Sequence, residues 1–256
     1  MKNKRVLVPL PQVDFDPTEV SIPWKYLKFH AHEVIFATPT GKRGEADPIM
    51  VTGKGLGFLK YFLMADKNGR EAYHLLERSS EFQKPISYEN IDPQKYDALL
   101  LSGGHAKGMK TYLESDLLKD VIAYFFDHQK PVGAICHGTL LAARSKSKIT
   151  GKSVLWERKT VGLTKLQELL AWSLTCLWMG DYYRTYPTPL EDEVRSSLRS
   201  SNDFLRGPLS FRRDSPGNLS LGYVVLDKNY LSARWPGDAH RFATEFVRLI
   251  EGIGLS

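Results

Sequence analysis

A single cysteine stands where a buried strand is predicted to turn into a helix. Residues 130–139 have the sequence KPVGAICHGT, in which the apolar run 132–135 precedes Cys136 and a helix follows from Gly138. Such an abrupt turn exposes a nucleophile, and small neighbouring residues allow the backbone to make it. A thiol at a helix N-terminus also lies in the positive end of the helix dipole, which lowers its pKa. We therefore predict that Cys136 attacks an electrophilic carbon of an aldehyde or an acyl group.

A second predicted strand upstream ends in a glycine pair. Residues 96–105 have the sequence YDALLLSGGH, and the amides of Gly103 and Gly104 are predicted to form an oxyanion hole. His137 is a candidate base, although its backbone N–H is an alternative contribution to the same hole. His105 is predicted either to face the substrate or to have a capping or core role. An isolated cysteine is most often a small buried apolar residue, but two such turns together favour a catalytic site.

The elements around these turns alternate between short apolar strands and amphipathic helices. Strands are predicted at 6–8, 33–37, 98–101 and 132–135, and helices at 18–30 and from 115 or 116 to 128. A hairpin is predicted at 222–233, and a closing helix capped by Asp238 follows it. Nearly continuous apolar strands are typical of a parallel sheet covered on both faces, a three-layer α/β sandwich. Ligands of such sheets bind beyond the carboxyl ends of the strands, where Gly103, Gly104 and Cys136 lie.

These motifs resemble those of the ThiJ/PfpI superfamily, whose flavodoxin-like fold is that of the class I glutamine amidotransferases. The resemblance rests on residues 134–138 (AICHG), 102–105 (SGGH) and 19–23 (EVSIP), and is strong from about residue 5 to residue 145. It is closest to the larger chaperone and glyoxalase III-type members. The resemblance implies that Glu19 touches the cysteine and acts with it. The alternative is that Glu19 is only a first-turn helix carboxylate that interacts with the helix dipole.

One expected feature of the larger members is missing. In those proteins a carboxylate about thirty residues after the cysteine orients the histidine, whereas the corresponding region here contains no Asp. Glu157 and Glu168 are possible substitutes that spacing alone does not place. This departure argues against a histidine-driven protease or amidase mechanism and leaves a Cys136/Glu19 mechanism intact.

The whole of 1–256 is predicted to be one domain with insertions near 42–92 and 181–220, the first acting as a lid or cap. A helix at 163–180 is apolar around much of its circumference. It is either a buried core helix or a helix packed partly against a second subunit, and we expect a homodimer. Cys176 within it is predicted to be structural.

Composition excludes several classes of protein. A formal charge of +6 without a long Lys/Arg block argues against a nucleic-acid partner, and no apolar run is long enough for a membrane span. Two cysteines give no disulfide framework, and with a poor secretory signal they favour a cytoplasmic protein. No metal and no cofactor are expected, since His30 and His32 are predicted to lie on the surface rather than to bind a metal.

Three hypotheses for function follow. The first is a glutathione-independent, glyoxalase-like enzyme that converts a small reactive aldehyde to a hydroxy acid. The second is a hydrolase of the same fold, acting on amides as an amidase or peptidase, or acting as a deglycase. The third is a non-catalytic stress chaperone or a redox sensor in which Cys136 is oxidised.

Overall fold

The computed structural model describes residues 3–253. Its strands are β1 (Arg5–Pro9), β2 (Val13–Phe15), β3 (Glu33–Thr38), β4 (Glu45–Ala46), β5 (Ile86–Ser87), β6 (Ala98–Leu101), β7 (Val132–Ile135), β8 (Val224–Asp227) and β9 (Tyr230–Ala233). Seven of them form one sheet in the order β5–β3–β1–β6–β7–β9–β8, and β2 pairs with β4. All neighbours in the seven-stranded sheet are parallel except β8 and β9. The predicted strands and the C-terminal hairpin are therefore confirmed.

Helices cover both faces of this sheet. They are α1 (Pro17–Phe29), α2 (Pro48–Thr52), α3 (Lys60–Leu63), α4 (Lys67–Leu76), α5 (Ser80–Gln83), α6 (Lys110–Leu113), α7 (Asp116–Asp127), α8 (His137–Arg144), α9 (Lys165–Met179), α10 (Leu190–Ser196) and α11 (Ala239–Glu251). Helices α1 and α11 pack against each other on one side, and α7 and α8 pack together against β6. This is the predicted three-layer α/β sandwich. Within residues 3–253, no helix is long and apolar enough to cross a membrane.

The central strands are buried along their whole length. Every residue of β6 and β7 is buried, which is why these strands are apolar without alternation. Helix α1 begins one residue before the prediction, because Asp16 accepts hydrogen bonds from the amides of Thr18 and Glu19 and Pro17 occupies the first turn. Helix α7 is capped by Ser115, the first of the two predicted alternatives, Ser115 and Asp116.

The capping of α11 differs from the prediction. Asp238 occupies the N-cap position but makes no capping hydrogen bond, since its carboxylate binds the buried Arg234. Asp214 replaces it and accepts hydrogen bonds from the amides of His240 and Arg241. A residue 24 positions earlier in the chain therefore satisfies the first turn, which local sequence patterns do not reveal.

The structure also differs from two predictions about burial, one for His32 and one for α9. His32 is 2% exposed and pairs with Glu251, so the prediction that it lies on the surface is wrong. The hypothesis that α9 is a core helix is wrong as well, because Leu177 is 93% exposed and Trp178 54% exposed. Packing of α9 against a second subunit stays a prediction.

The segments predicted as insertions have short elements in the structure. Residues 42–92 form β4, α2 to α5 and β5, of which β5 extends the main sheet beside β3. Residues 181–220 contain α10 and the single-turn helix Ser201–Asp203, and a second single-turn helix, Leu219–Leu221, begins at their end. Both segments contribute residues to the cavity described below.

Candidate active site

Cys136 lies on a strained turn between β7 and α8. Its backbone has φ +55° and ψ −122°, a region that residues with a side chain rarely occupy. Such a conformation costs about 1–3 kcal/mol and persists only where the surroundings enforce it. A Cβ atom on Gly138 would lie 2.2 Å from the carbonyl oxygen of Leu101, so only glycine lets α8 start this close to β6. The predicted strand–cysteine–helix turn is confirmed.

Glu19 is brought to the sulfur by the first turn of α1. Its side chain is 0% exposed, and Oε2 accepts a hydrogen bond of 2.8 Å from the amide of Gly103. The carboxyl group and the Cys136 side chain both lie against Gly103, and each shifts the pKa of the other. Its other oxygen, Oε1, is buried and has no nitrogen or oxygen partner among residues 3–253. Two residues 117 positions apart in sequence are thus joined at the end of the sheet.

Burial controls the protonation of this pair. It raises the pKa of Glu19 well above its usual range, and the nearby Asp16 carboxylate adds to that effect. Burial also raises the pKa of the Cys136 thiol, as do the charges of Glu19 and Asp16, while the amide of His137 opposes the shift. The expected lowering of the thiol pKa by the helix dipole is therefore wrong. Because both values are raised, the pair holds a proton near neutral pH, and that proton can pass between carboxyl and sulfur.

The two glycines of the second turn have different positions. Gly103 donates its N–H to Glu19, so this amide is not available for an oxyanion, contrary to the prediction. A Cβ atom here would lie 2.6 Å from Glu19 Oε2 and 2.8 Å from the Cys136 Cβ, which shows how closely Gly103 fits between them. Gly104 has φ +153° and lines the cavity above the cysteine. Its amide and that of His137 stay the candidates for oxyanion donors.

His137 contacts the sulfur, and a hydroxyl group orients it. His137 Nδ1 lies 3.5 Å from Cys136 Sγ, and Nε2 lies 3.2 Å from Thr185 Oγ1. Thr185 donates its own proton to the carbonyl of His105 at 2.6 Å, so Oγ1 accepts from Nε2–H and leaves Nδ1 unprotonated toward the thiol. Burial lowers the pKa of His137 to about 3. The imidazole is therefore neutral, and its hydrogen-bond partners within residues 3–253 are the Cys136 thiol and the Thr185 hydroxyl rather than a carboxylate.

Thr185 was not found by sequence reasoning, which sought a carboxylate. Glu157 lies at the surface in an ion pair with Arg199. Glu168 is buried and accepts a hydrogen bond from the amide of Leu190, with Arg184 3.6 Å away. Neither takes the position of a third triad residue, because Thr185 binds His137 Nε2.

A cavity of about 370 Å³ opens onto Cys136. His105 lines it, stacked on Tyr183 with ring centroids 4.4 Å apart, and burial lowers the pKa of this histidine. Several lining residues carry buried polar atoms with no hydrogen-bond partner among residues 3–253: Glu19 Oε1, His105 Nε2, Tyr183 Oη, Arg213 Nη1 and Trp235 Nε1. Unpaired buried polar atoms are costly, and around a cavity they are available to bind a ligand.

No cluster of three His, Cys, Asp or Glu side chains with the arrangement of a metal site occurs within residues 3–253. Cys136 and Cys176 are both free thiols.

Comparisons with known proteins show the family and the fold of the chain. A family model described as ThiJ/PfpI family-like matches residues 10–190. The deglycase of Pyrococcus abyssi is 24% identical over 247 residues, which cover 96% of this chain and 99% of the relative. Glyoxalase III from Candida albicans superposes with a TM-score of 0.66 at 17% identity, covering 96% of this chain and 97% of that one. Drosophila melanogaster DJ-1beta superposes with a TM-score of 0.57 at 16% identity, covering 98% and 92%. Since the family model spans most of the chain, this protein belongs to the ThiJ/PfpI superfamily.

Proposed function

We propose that this protein converts a 2-oxoaldehyde, such as methylglyoxal, to a 2-hydroxy acid without an external thiol or a cofactor. The observation that carries the proposal is that the buried Glu19 carboxyl and the Cys136 side chain both lie against Gly103, where burial raises the pKa of both groups. The reaction needs a nucleophile and one carboxyl that both gives and takes a proton. Glu19 lies where it can do both.

The first step is addition to the aldehyde. Cys136 Sγ forms a bond to C1, and the proton held by the pair moves to the aldehyde oxygen, which gives a hemithioacetal and an ionised Glu19. The amides of Gly104 and His137 are the proposed donors to the developing negative charge. Because His137 Nδ1 is unprotonated, it can accept the thiol proton in a hydrogen bond before attack.

The second step moves hydrogen between the two carbons. Glu19 takes the proton from C1, which leaves an enediolate, and returns it to C2, while the hydroxyl proton on the C1 oxygen passes to the C2 oxygen. C1 is oxidised to a thioester while C2 is reduced to an alcohol, so no external oxidant or reductant takes part. Water then cleaves the thioester, which releases the hydroxy acid and restores the thiol. A buried carboxyl with a raised pKa suits this double role.

The geometry gives less support to a histidine-driven amidase or peptidase. In such an enzyme the histidine becomes positively charged when it takes the proton of the nucleophile, and a carboxylate stabilises it. Here burial lowers the pKa of His137 to about 3, and its orienting partner is the Thr185 hydroxyl. A deglycase is the second candidate, since a relative with that name aligns over nearly the whole chain and would use the same thiol addition.

The proposal also includes the cellular compartment and the oligomeric state of the protein. Free thiols at Cys136 and Cys176 suit a reducing compartment, so a cytoplasmic location stays our expectation. A homodimer is likewise expected through the exposed apolar face of α9.

The test is formation of lactate from methylglyoxal by the purified protein. Cys136→Ser is expected to lower kcat/KM by at least about 10³-fold, because it removes the nucleophile. Cys176→Ser is the matched control and is expected to keep the wild-type rate, since Cys176 lies in α9 outside the cavity lining. Absence of lactate from the wild-type protein, or equal rates for the two variants, would overturn the proposal. Release of free amine from glycated substrates in its place would favour the deglycase.

A further inference from the structure

The outer wall of the cavity above Cys136 is apolar and comes from three separate segments. Phe62 belongs to α3, Leu170 and Leu174 belong to α9, and Phe211 belongs to the 181–220 segment. These side chains are 70%, 37%, 46% and 53% exposed, respectively. Single exposed apolar residues are ordinary on protein surfaces, but here four of them converge on one opening.

The inner end of the cavity has the opposite character. Cys136 and Glu19 lie there at 4% and 0% exposure, beside the unpaired polar atoms of His105 and Tyr183. Polar atoms at this end suit the two adjacent oxygens of a 2-oxoaldehyde. The polar inner end therefore suits the carbonyl groups of a substrate, and the apolar outer wall suits its carbon substituent.

The size of the cavity also favours a substrate with an apolar substituent in addition to its reacting end. A volume of about 370 Å³ is at the low end of the range for sites that bind drug-sized ligands. Methylglyoxal has only a handful of non-hydrogen atoms and would fill a small part of this volume. Its single methyl group would cover little of the apolar surface of Phe62, Leu174 and Phe211.

We propose that the preferred substrate is a 2-oxoaldehyde that carries a neutral alkyl or aryl substituent of several carbons, which lies along Phe62, Leu170, Leu174 and Phe211. This inference rests on the proposed function for the reacting end of the molecule. Covering the exposed carbon surface of the mouth supplies the binding energy.

The first experiment measures how strongly the apolar wall favours an alkyl chain, independently of turnover. N-alkylmaleimides from methyl to octyl are allowed to react with Cys136 in a Cys176→Ser background, and intact-mass spectrometry gives the second-order rate constants. We expect the rate to rise about threefold for each added methylene until the mouth is filled. A rate that does not change with chain length would overturn the inference.

A matched pair of variants on α9 tests whether the increase in rate with chain length arises at the mouth of the cavity. Leu174→Ser, at the mouth, is expected to weaken the increase of the maleimide rate constant with chain length. Leu177→Ser, on the same helix but 93% exposed and outside the lining, is expected to keep it. Both substitutions are on the surface, so folding is expected to survive, which circular dichroism checks. If the maleimide rate constant depended on chain length equally in the two variants, the inference would also be overturned.

The second experiment links the wall to the reaction. For 2-oxoaldehydes with linear alkyl chains, kcat/KM is expected to increase with chain length in step with the maleimide rates. If methylglyoxal is turned over as fast as its longer homologues, the inference fails and the proposed function stands. If no 2-oxoaldehyde is turned over but the maleimide rates rise with chain length, the proposed function fails while the apolar wall is confirmed as a ligand site.

Discussion

The floor and the wall of the cavity are built in different ways. The floor consists of turns that directly follow β6 and β7, together with the first turn of α1, and its side chains are buried. The wall comes from α3, α9 and the 181–220 segment, and its apolar side chains are largely exposed. We propose that the floor holds the reacting atoms and that the wall selects the rest of the substrate. Substitutions in the floor should therefore affect stability and chemistry together, whereas those in the wall should affect selectivity.

The largest effect on stability is expected at Gly138 in the floor. Gly138→Ala places a Cβ atom 2.2 Å from the Leu101 carbonyl oxygen, and backbone on both sides must move. We expect the free energy of unfolding to fall by about 3 kcal/mol in urea titrations. Gly217→Ala is the control, because a Cβ atom there meets nothing within 4 Å and is expected to change stability little. Equal losses for the two variants would show that the elbow is not tightly packed.

A smaller effect with a defined pH dependence is expected at Glu168, a buried carboxyl that lines the cavity but belongs to neither the floor nor the apolar wall. Burial raises its pKa from 4.5 to about 7. Its stabilising contribution is therefore fully present below about pH 4.5 and is lost as the pH rises through about 7. Glu168→Gln cannot ionise, so relative to wild type it should gain about 2 kcal/mol between about pH 5 and pH 8.

Urea titrations of both proteins at the two pH values measure this difference and cancel any pH-independent cost of losing the Arg184 contact. A difference that stays constant with pH would mean that Glu168 is better solvated than its 3% exposure indicates.

The smallest effect is expected at Thr185, which orients His137. Thr185→Val removes the acceptor for His137 Nε2–H while keeping the shape of the side chain. We expect kcat for 2-oxoaldehydes to fall by about tenfold with little change in KM, a loss of about 1.4 kcal/mol. Thr185→Ser keeps the hydroxyl and should restore most of the rate. A KM effect alone would place Thr185 in substrate binding instead.

The difference between floor and wall also explains what the sequence alone revealed. The strands and the cysteine turn were predictable because buried parallel strands are short apolar runs, and glycines follow them wherever the backbone is crowded. Glu19 was found through the family resemblance. Thr185, Arg213 and Trp235 come from loops whose paths depend on tertiary contacts, and no local pattern marks them.

The errors of prediction have a common physical cause. The thiol pKa was predicted from the helix dipole alone, whereas burial beside Glu19 and Asp16 acts in the opposite direction. His32 follows a helix and was predicted to be on the surface, but the end of α11 covers it. The amide of Gly103 was predicted to be free, but Glu19 binds it. In each case a residue distant in sequence changes the environment of a correctly located group.

The central claim is that Glu19 carries the proton for a reaction at Cys136. Its most direct test is lactate formation from methylglyoxal by Glu19→Gln, in which the amide oxygen can still accept the Gly103 hydrogen bond but the side chain cannot transfer a proton. We predict a loss of at least about 10²-fold in kcat, while iodoacetamide still alkylates Cys136. A Glu19→Gln protein that makes lactate at the wild-type rate would contradict the claim.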